Sequence, residues 1–123
     1  MAVTIAPLGG LTGILKIIRD ADLDETAETN VADGAFTLHS IVADNAANGA
    51  ASYLKAYNNA APTVGTTAPD LVLLVPASKK RVYTFLGGAA MFTTACSLAA
   101  VTTAGTAGVT GPTSAMLVSV VGT

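Results

Sequence analysis

The sequence has no tryptophan, one cysteine and one histidine among its 123 residues, and charged side chains make up only 11% of it. A soluble domain ordinarily carries about 25%. Each scarcity excludes something. A single cysteine, Cys96, rules out a disulfide within the chain. It lies between Ala95 and Ser97 in an apolar run with no histidine near it, so it reads as a small core residue rather than a nucleophile. The lone histidine, His39, has no cysteine or carboxylate at zinc-ligand spacing. It reads as a strand histidine bonded to a neighbour, and most catalytic designs built on a general base go with it. Low charge excludes disorder of the highly charged kind. A net charge of -2 and a pI near 5.0 exclude a nucleic-acid binder that works by bulk positive charge. The opening Met-Ala-Val-Thr-Ile-Ala-Pro-Leu lacks the positive region of a signal peptide.

What remains is apolar and small. Hydrophobic residues are 51% of the chain, but Phe and Tyr number three each. Small residues build a thin core and leave apolar area uncovered in a lone monomer. Together with the low charge, this predicts a surface covered by partners, as in a subunit of an assembly. The stretch 82–101 follows Lys79, Lys80 and Arg81 and has the length of a membrane helix. Its Gly, Ala, Thr and Ser content makes it poor for insertion, and its Thr and Val favour strands. No membrane partner is expected.

Along the chain, residues 1–13 hold Pro7, Gly9, Gly10 and Gly13 and read as an extended, flexible arm. Residues 14–19 form a short strand candidate, and 20–33, with six of the eight acidic residues, an exposed loop. Strands are then expected over 36–42, 51–57, 71–75, 81–86, within 90–101 and over 116–121. Asn48-Gly49 signals a hairpin and Gly87-Gly88 a bulge. This spacing predicts an all-β fold: an antiparallel β-sandwich or jelly-roll-like barrel with an extended N-terminal arm. The division is 1–34 for the arm, short strand and acidic loop, and 35–123 for the β-sandwich domain. The strands at 71–75 and 116–121 are apolar on both faces, so the outer face of each is expected to meet another subunit.

Little in the sequence points to chemistry. Asp20, Asp22 and Asp24 alternate like the start of a calcium loop, but Glu25 stands where glycine is needed and Val31 where glutamate is needed. The segment reads as a solvated acidic loop, and no metal is expected. Gly87-Gly88 is followed by no phosphate-binding pattern. Tyr53, Lys55 and Tyr57 share one face of a strand. That face suits core or subunit packing with a snorkelling lysine, and sugar binding is its alternative. Lys79, Lys80 and Arg81 form a basic turn able to meet an acidic partner. No catalytic residues and no cofactor are expected.

Residues 51–77 read Ala-Ser-Tyr-Leu-Lys-Ala-Tyr-Asn-Asn-Ala-Ala-Pro-Thr-Val-Gly-Thr-Thr-Ala-Pro-Asp-Leu-Val-Leu-Leu-Val-Pro-Ala. This resembles a recurring segment of small structural proteins of tailed-bacteriophage virions. The stretch 89–102 is similar to that family's next long strand. The loop 102–112 lacks the acidic residues the family carries there. The resemblance implies a non-enzymatic capsid decoration (cement) protein, a homotrimer made in the host cytoplasm and placed on the capsid exterior. Its partner would be the major capsid protein. Contacts would come from the arm (Met1, Ala2, Val3, Ile5, Leu8), from Leu71 and Leu73, and from Lys79, Lys80 and Arg81. The alternatives are another virion module (head fibre, tail or baseplate) and a carbohydrate-binding β-module.

Overall fold

In the computed structural model, which describes residues 3–7 and 15–123, eight strands follow one another. They are β1 (Val3–Pro7), β2 (Lys16–Leu23), β3 (Phe36–Asp44), β4 (Ser52–Tyr57), β5 (Leu71–Val75), β6 (Lys80–Phe92), β7 (Ser97–Val101) and β8 (Met116–Gly122). A five-stranded sheet has the order β1-β2-β8-β3-β6, and a three-stranded sheet the order β5-β4-β7. Every ladder between named strands is antiparallel. The fold is an all-β sandwich, with no helix among the described residues.

Period-two alternation builds the core. Met116, Val118 and Val120 of β8 are buried, while Leu117, Ser119 and Val121 between them are half-buried on the outer face. Ile41, Leu38 and Phe36 of β3 and Ile18 of β2 join them from the large sheet, and Leu54, Leu98 and Val75 from the small one. Burial of branched side chains on both inner faces drives the two sheets together.

Four sequence expectations change. The segment Val3–Pro7 is no free arm: it pairs with β2 from Val3↔Asp20 to Pro7↔Lys16 as the outermost strand of the large sheet. Proline at the end of an edge strand costs no ladder bond that the sheet needs. Asn48-Gly49 closes no hairpin, because β3 and β4 belong to different sheets. Instead Asn45 and Asn48 are both buried and tie the crossover down. Asn45 Nδ2 donates to the carbonyls of Ala50 (3.0 Å), Val75 (3.1 Å) and Pro76 (3.2 Å), and Asn48 Nδ2 donates to Asn45 Oδ1 (2.8 Å) and Ser114 O (2.8 Å). The acidic stretch is not all exposed loop. β2 runs on to Leu23, and the chain after it lies along β7: Glu28 and Leu98 exchange backbone bonds, and Val31 N donates to the Cys96 carbonyl. Finally, the strands expected over 81–86 and within 90–101 are present with other bounds: β6 runs on through the bulge from Lys80 to Phe92, and β7 is Ser97–Val101. No helix of the described residues is long and apolar enough to cross a membrane.

β6 contains the expected bulge. Leu38 pairs with Ala89 and Ser40 with Thr84, so β6 passes through residues 85–88 while β3 passes through His39 alone. Gly87 (φ 77°) and Gly88 (φ 84°) supply the left-handed backbone this needs. Phe85 turns in against the core, and Leu86 projects outward with 94% of its surface exposed.

Candidate functional site

The β5 and β6 edges lie on one side of the sandwich, joined where the Tyr83 hydroxyl donates to the Leu74 carbonyl. Around them the apolar side chains are turned out. On β5, Leu71 and Leu73 pack half-buried against the core, while Val72 and Leu74 are exposed. On β6, Val82 faces out at 63% exposure, and Leu86 stands on the glycine bulge. The exposed Lys79, Lys80 and Arg81 lead into β6 beside them. These are three of the six basic residues in the chain. Lys80 pairs with Asp44 at 3.6 Å, and Ser78 before the triplet takes φ 57°. Alternation puts Val72 and Leu74 on the outer face of the small sheet and Val82 and Leu86 on that of the large sheet, so this edge of the sandwich carries exposed apolar side chains on both faces with a cationic turn at its end.

The sequence-predicted contact residues divide: Leu71, Leu73, Lys79, Lys80 and Arg81 lie at the β5–β6 edge, and the described residues of the arm lie elsewhere. Met1, Ala2 and Leu8 lie outside the described residues. Val3 packs partly against the core, and Ile5 is 40% exposed on β1, at the far edge of the large sheet from β6. The outer face expected to meet a neighbour on β5 is formed by Val72 and Leu74, while Leu71 and Leu73, the residues named for contact, turn inward. Val82 and Leu86 had no signal of their own in the sequence.

The Tyr53-Lys55-Tyr57 face is covered. Tyr57 and Lys55 are fully buried, and Tyr53 is half-buried. Lys55 does not snorkel: its Nζ donates to the Gly105 carbonyl at 2.7 Å and the Gly108 carbonyl at 3.1 Å, under the loop that follows β7. Burial lowers its pKa and raises that of Tyr57. A pocket of about 300 Å³ opens beside the end of β8, lined by Ala35, Phe36, Thr37, Ala90, Phe92, Thr93 and Thr123. That lining has no ionisable side chain; its polar side chains are the three hydroxyls of Thr37, Thr93 and Thr123. His39 lies 3.4 Å from the Thr123 hydroxyl. Cys96 is buried, which pushes its thiol up to about 12 and keeps it protonated.

The remaining cluster is acidic. One oxygen each from Asp20, Asp22 and Glu28 lies within 4.8 Å of the others. Asp20 and Asp22 come from the end of β2, and Glu28 from the segment along β7. Burial, with Asp22 and Glu28 close by, pushes the Asp20 carboxyl up to about 6 and also raises that of Glu28. No protein-family model, curated protein or solved structure matches this chain.

Proposed function

We propose that this chain is a non-enzymatic structural subunit that docks on a larger protein assembly through the β5–β6 rim, and that the assembly is a bacteriophage shell. In this reading it is a capsid decoration protein on the particle exterior, acting as a homotrimer on the major capsid protein. The observation that carries the docking role is the turned-out apolar rim, with Leu86 held at 94% exposure on a two-glycine bulge beside the Lys79–Arg81 turn. An exposed leucine at the tip of a projecting bulge gains nothing for a lone domain and gains burial in a complex. The phage identity rests on the resemblance of residues 51–77 and 89–102 to virion proteins. Several weak contacts per oligomer would add up by avidity, so no single deep pocket is needed.

The test is rebinding to shells that lack the protein. Replacing Lys79, Lys80 and Arg81 by glutamate alters exposed side chains and gives up one surface ion pair worth about 0–1 kcal/mol. The fold should survive, seen as an unchanged β-type circular dichroism spectrum. Shell occupancy should fall at least about tenfold. Leu86→Ser should weaken occupancy with no loss of stability. Full occupancy by both variants would reject the rim as the docking surface.

A further inference from the structure

We infer that Asp20, Asp22 and Glu28 form a binding site for a hard divalent cation, calcium by its chemistry, which ties β2 of the large sheet to the segment lying along β7. Three carboxylates in one place are not enough to argue this, since acidic groups often cluster in solvent. Here two of the three are not in solvent. Asp20 is 1% exposed and Glu28 8% exposed, and Asp20 Oδ2 and Glu28 Oε2 have no hydrogen-bond partner. Buried carboxylate oxygens are normally paired or bound to metal. Among the described residues no lysine or arginine forms an ion pair with either group; the cation that acts on Glu28 is the N-terminal ammonium, whose effect burial outweighs. Lys16, on the same strand, gives its ammonium to the Ala32 carbonyl. Arg19 is exposed, and strand alternation puts it on the opposite face from Asp20.

The geometry suits the ion. Calcium takes oxygen ligands at about 2.4 Å, so two oxygens on one ion stand at most about 4.8 Å apart. The three carboxylate oxygens fall within that limit as they stand. Three carboxylates against a divalent charge, with water or backbone carbonyls filling the other positions, is ordinary calcium chemistry, and calcium tolerates irregular geometry better than magnesium does. The raised carboxyl pKa values agree: burial is the main cause of both, and the neighbouring carboxylates add to it. The site is not a contiguous calcium loop. Its third ligand comes from a neighbouring segment, so a linear motif could not show it.

The structural consequence is a clamp. β2 belongs to the large sheet, and Glu28 bridges to Leu98 of β7 in the small sheet. An ion shared by the two would fasten the side of the sandwich opposite the β5–β6 rim. This inference does not depend on the phage reading.

The experiment uses the full chain, treated with chelator and returned to metal-free buffer. Thermal unfolding is followed with about 2 mM calcium chloride, with magnesium chloride, and with potassium chloride at matched ionic strength. Calcium should raise Tm by about 5 °C, magnesium by less and potassium not at all. Calorimetric titration should show one calcium per chain. Asp20→Asn and Glu28→Gln should each raise the metal-free Tm, because they remove buried like charge, and should each abolish the calcium shift. Asp33→Asn, an exposed acid outside the cluster, should keep it. The inference is overturned if calcium leaves wild-type Tm unchanged, if potassium or magnesium gives an equal shift, or if either cluster variant still shows the wild-type shift. Should one cluster variant fail to fold, the other and the wild-type titration still decide the matter.

Discussion

Asn45 shows how one buried side chain can replace a turn. It donates to three carbonyls and accepts from Asn48 Nδ2 and from Ser52 Oγ at 3.0 Å, joining the β3–β4 crossover to the end of β5. Asn45→Ala should cost about 3 kcal/mol, measured by denaturant unfolding, because it leaves several buried polar groups unpaired at once. Lys55→Met keeps the side-chain volume but removes both donors to the 105–108 loop. It should cost about 1–3 kcal/mol and speed hydrogen exchange in that loop. Cys96 offers a pH test. Its folded pKa, about 12, lies above the unfolded value near 9, so the folded chain keeps a proton that the unfolded chain releases. Stability from this group is present below pH 9 and lost as pH rises toward 12. Cys96→Ala should reduce the downward slope of stability in that window by about one proton, ~1.4 kcal/mol per pH unit. Below pH 9 the wild-type thiol should resist labelling until the protein unfolds. The core role of Cys96 was legible from its apolar neighbours. The burial of Lys55 was not, because the loop that covers it lies some fifty residues away and has no charge to announce the contact.

At the scale of elements, the sequence marks strands well and partners poorly. Val, Thr and Leu runs bounded by Gly, Pro and Asn locate β3, β4, β5 and β8 to within a residue or two. Pairing depends on long-range contacts. Asn48-Gly49 carries a hairpin signal, yet the chain crosses between sheets there. β2 ran past its expected end because Ile18, Asp20 and the residues around them keep the strand alternation, with Asp20 on the buried side. A carboxylate at an inward position is a signal that composition hides. The glycine bulge was legible, and its two glycines should differ in effect. A Cβ at Gly87 would meet nothing within 4 Å, whereas one at Gly88 would stand 2.7 Å from Thr37 Cγ2. Gly87→Ala should therefore cost about 1 kcal/mol, the price of the left-handed backbone, and Gly88→Ala clearly more, read from Tm.

The whole molecule is a low-charge sandwich with unlike features on its two sides. Among the described residues the β5–β6 side carries four of the six exposed large hydrophobics, the others being Ile5 on β1 and Val109 between β7 and β8, and it carries half of the chain's basic residues, while the side at β2 and β7 carries the carboxylate cluster. A surface of this kind suits a subunit held by many neighbours. The fold class was readable from strand spacing. The rim was not, since exposure of Val82 and Leu86 follows from their places on an edge strand and a bulge. The central claim is that the chain is a shell component. Quantitative mass spectrometry of purified particles, against the major capsid protein, tests it most directly. The account predicts a ratio near one copy per capsid subunit. Absence from the particles, or a handful of copies in each, would contradict it.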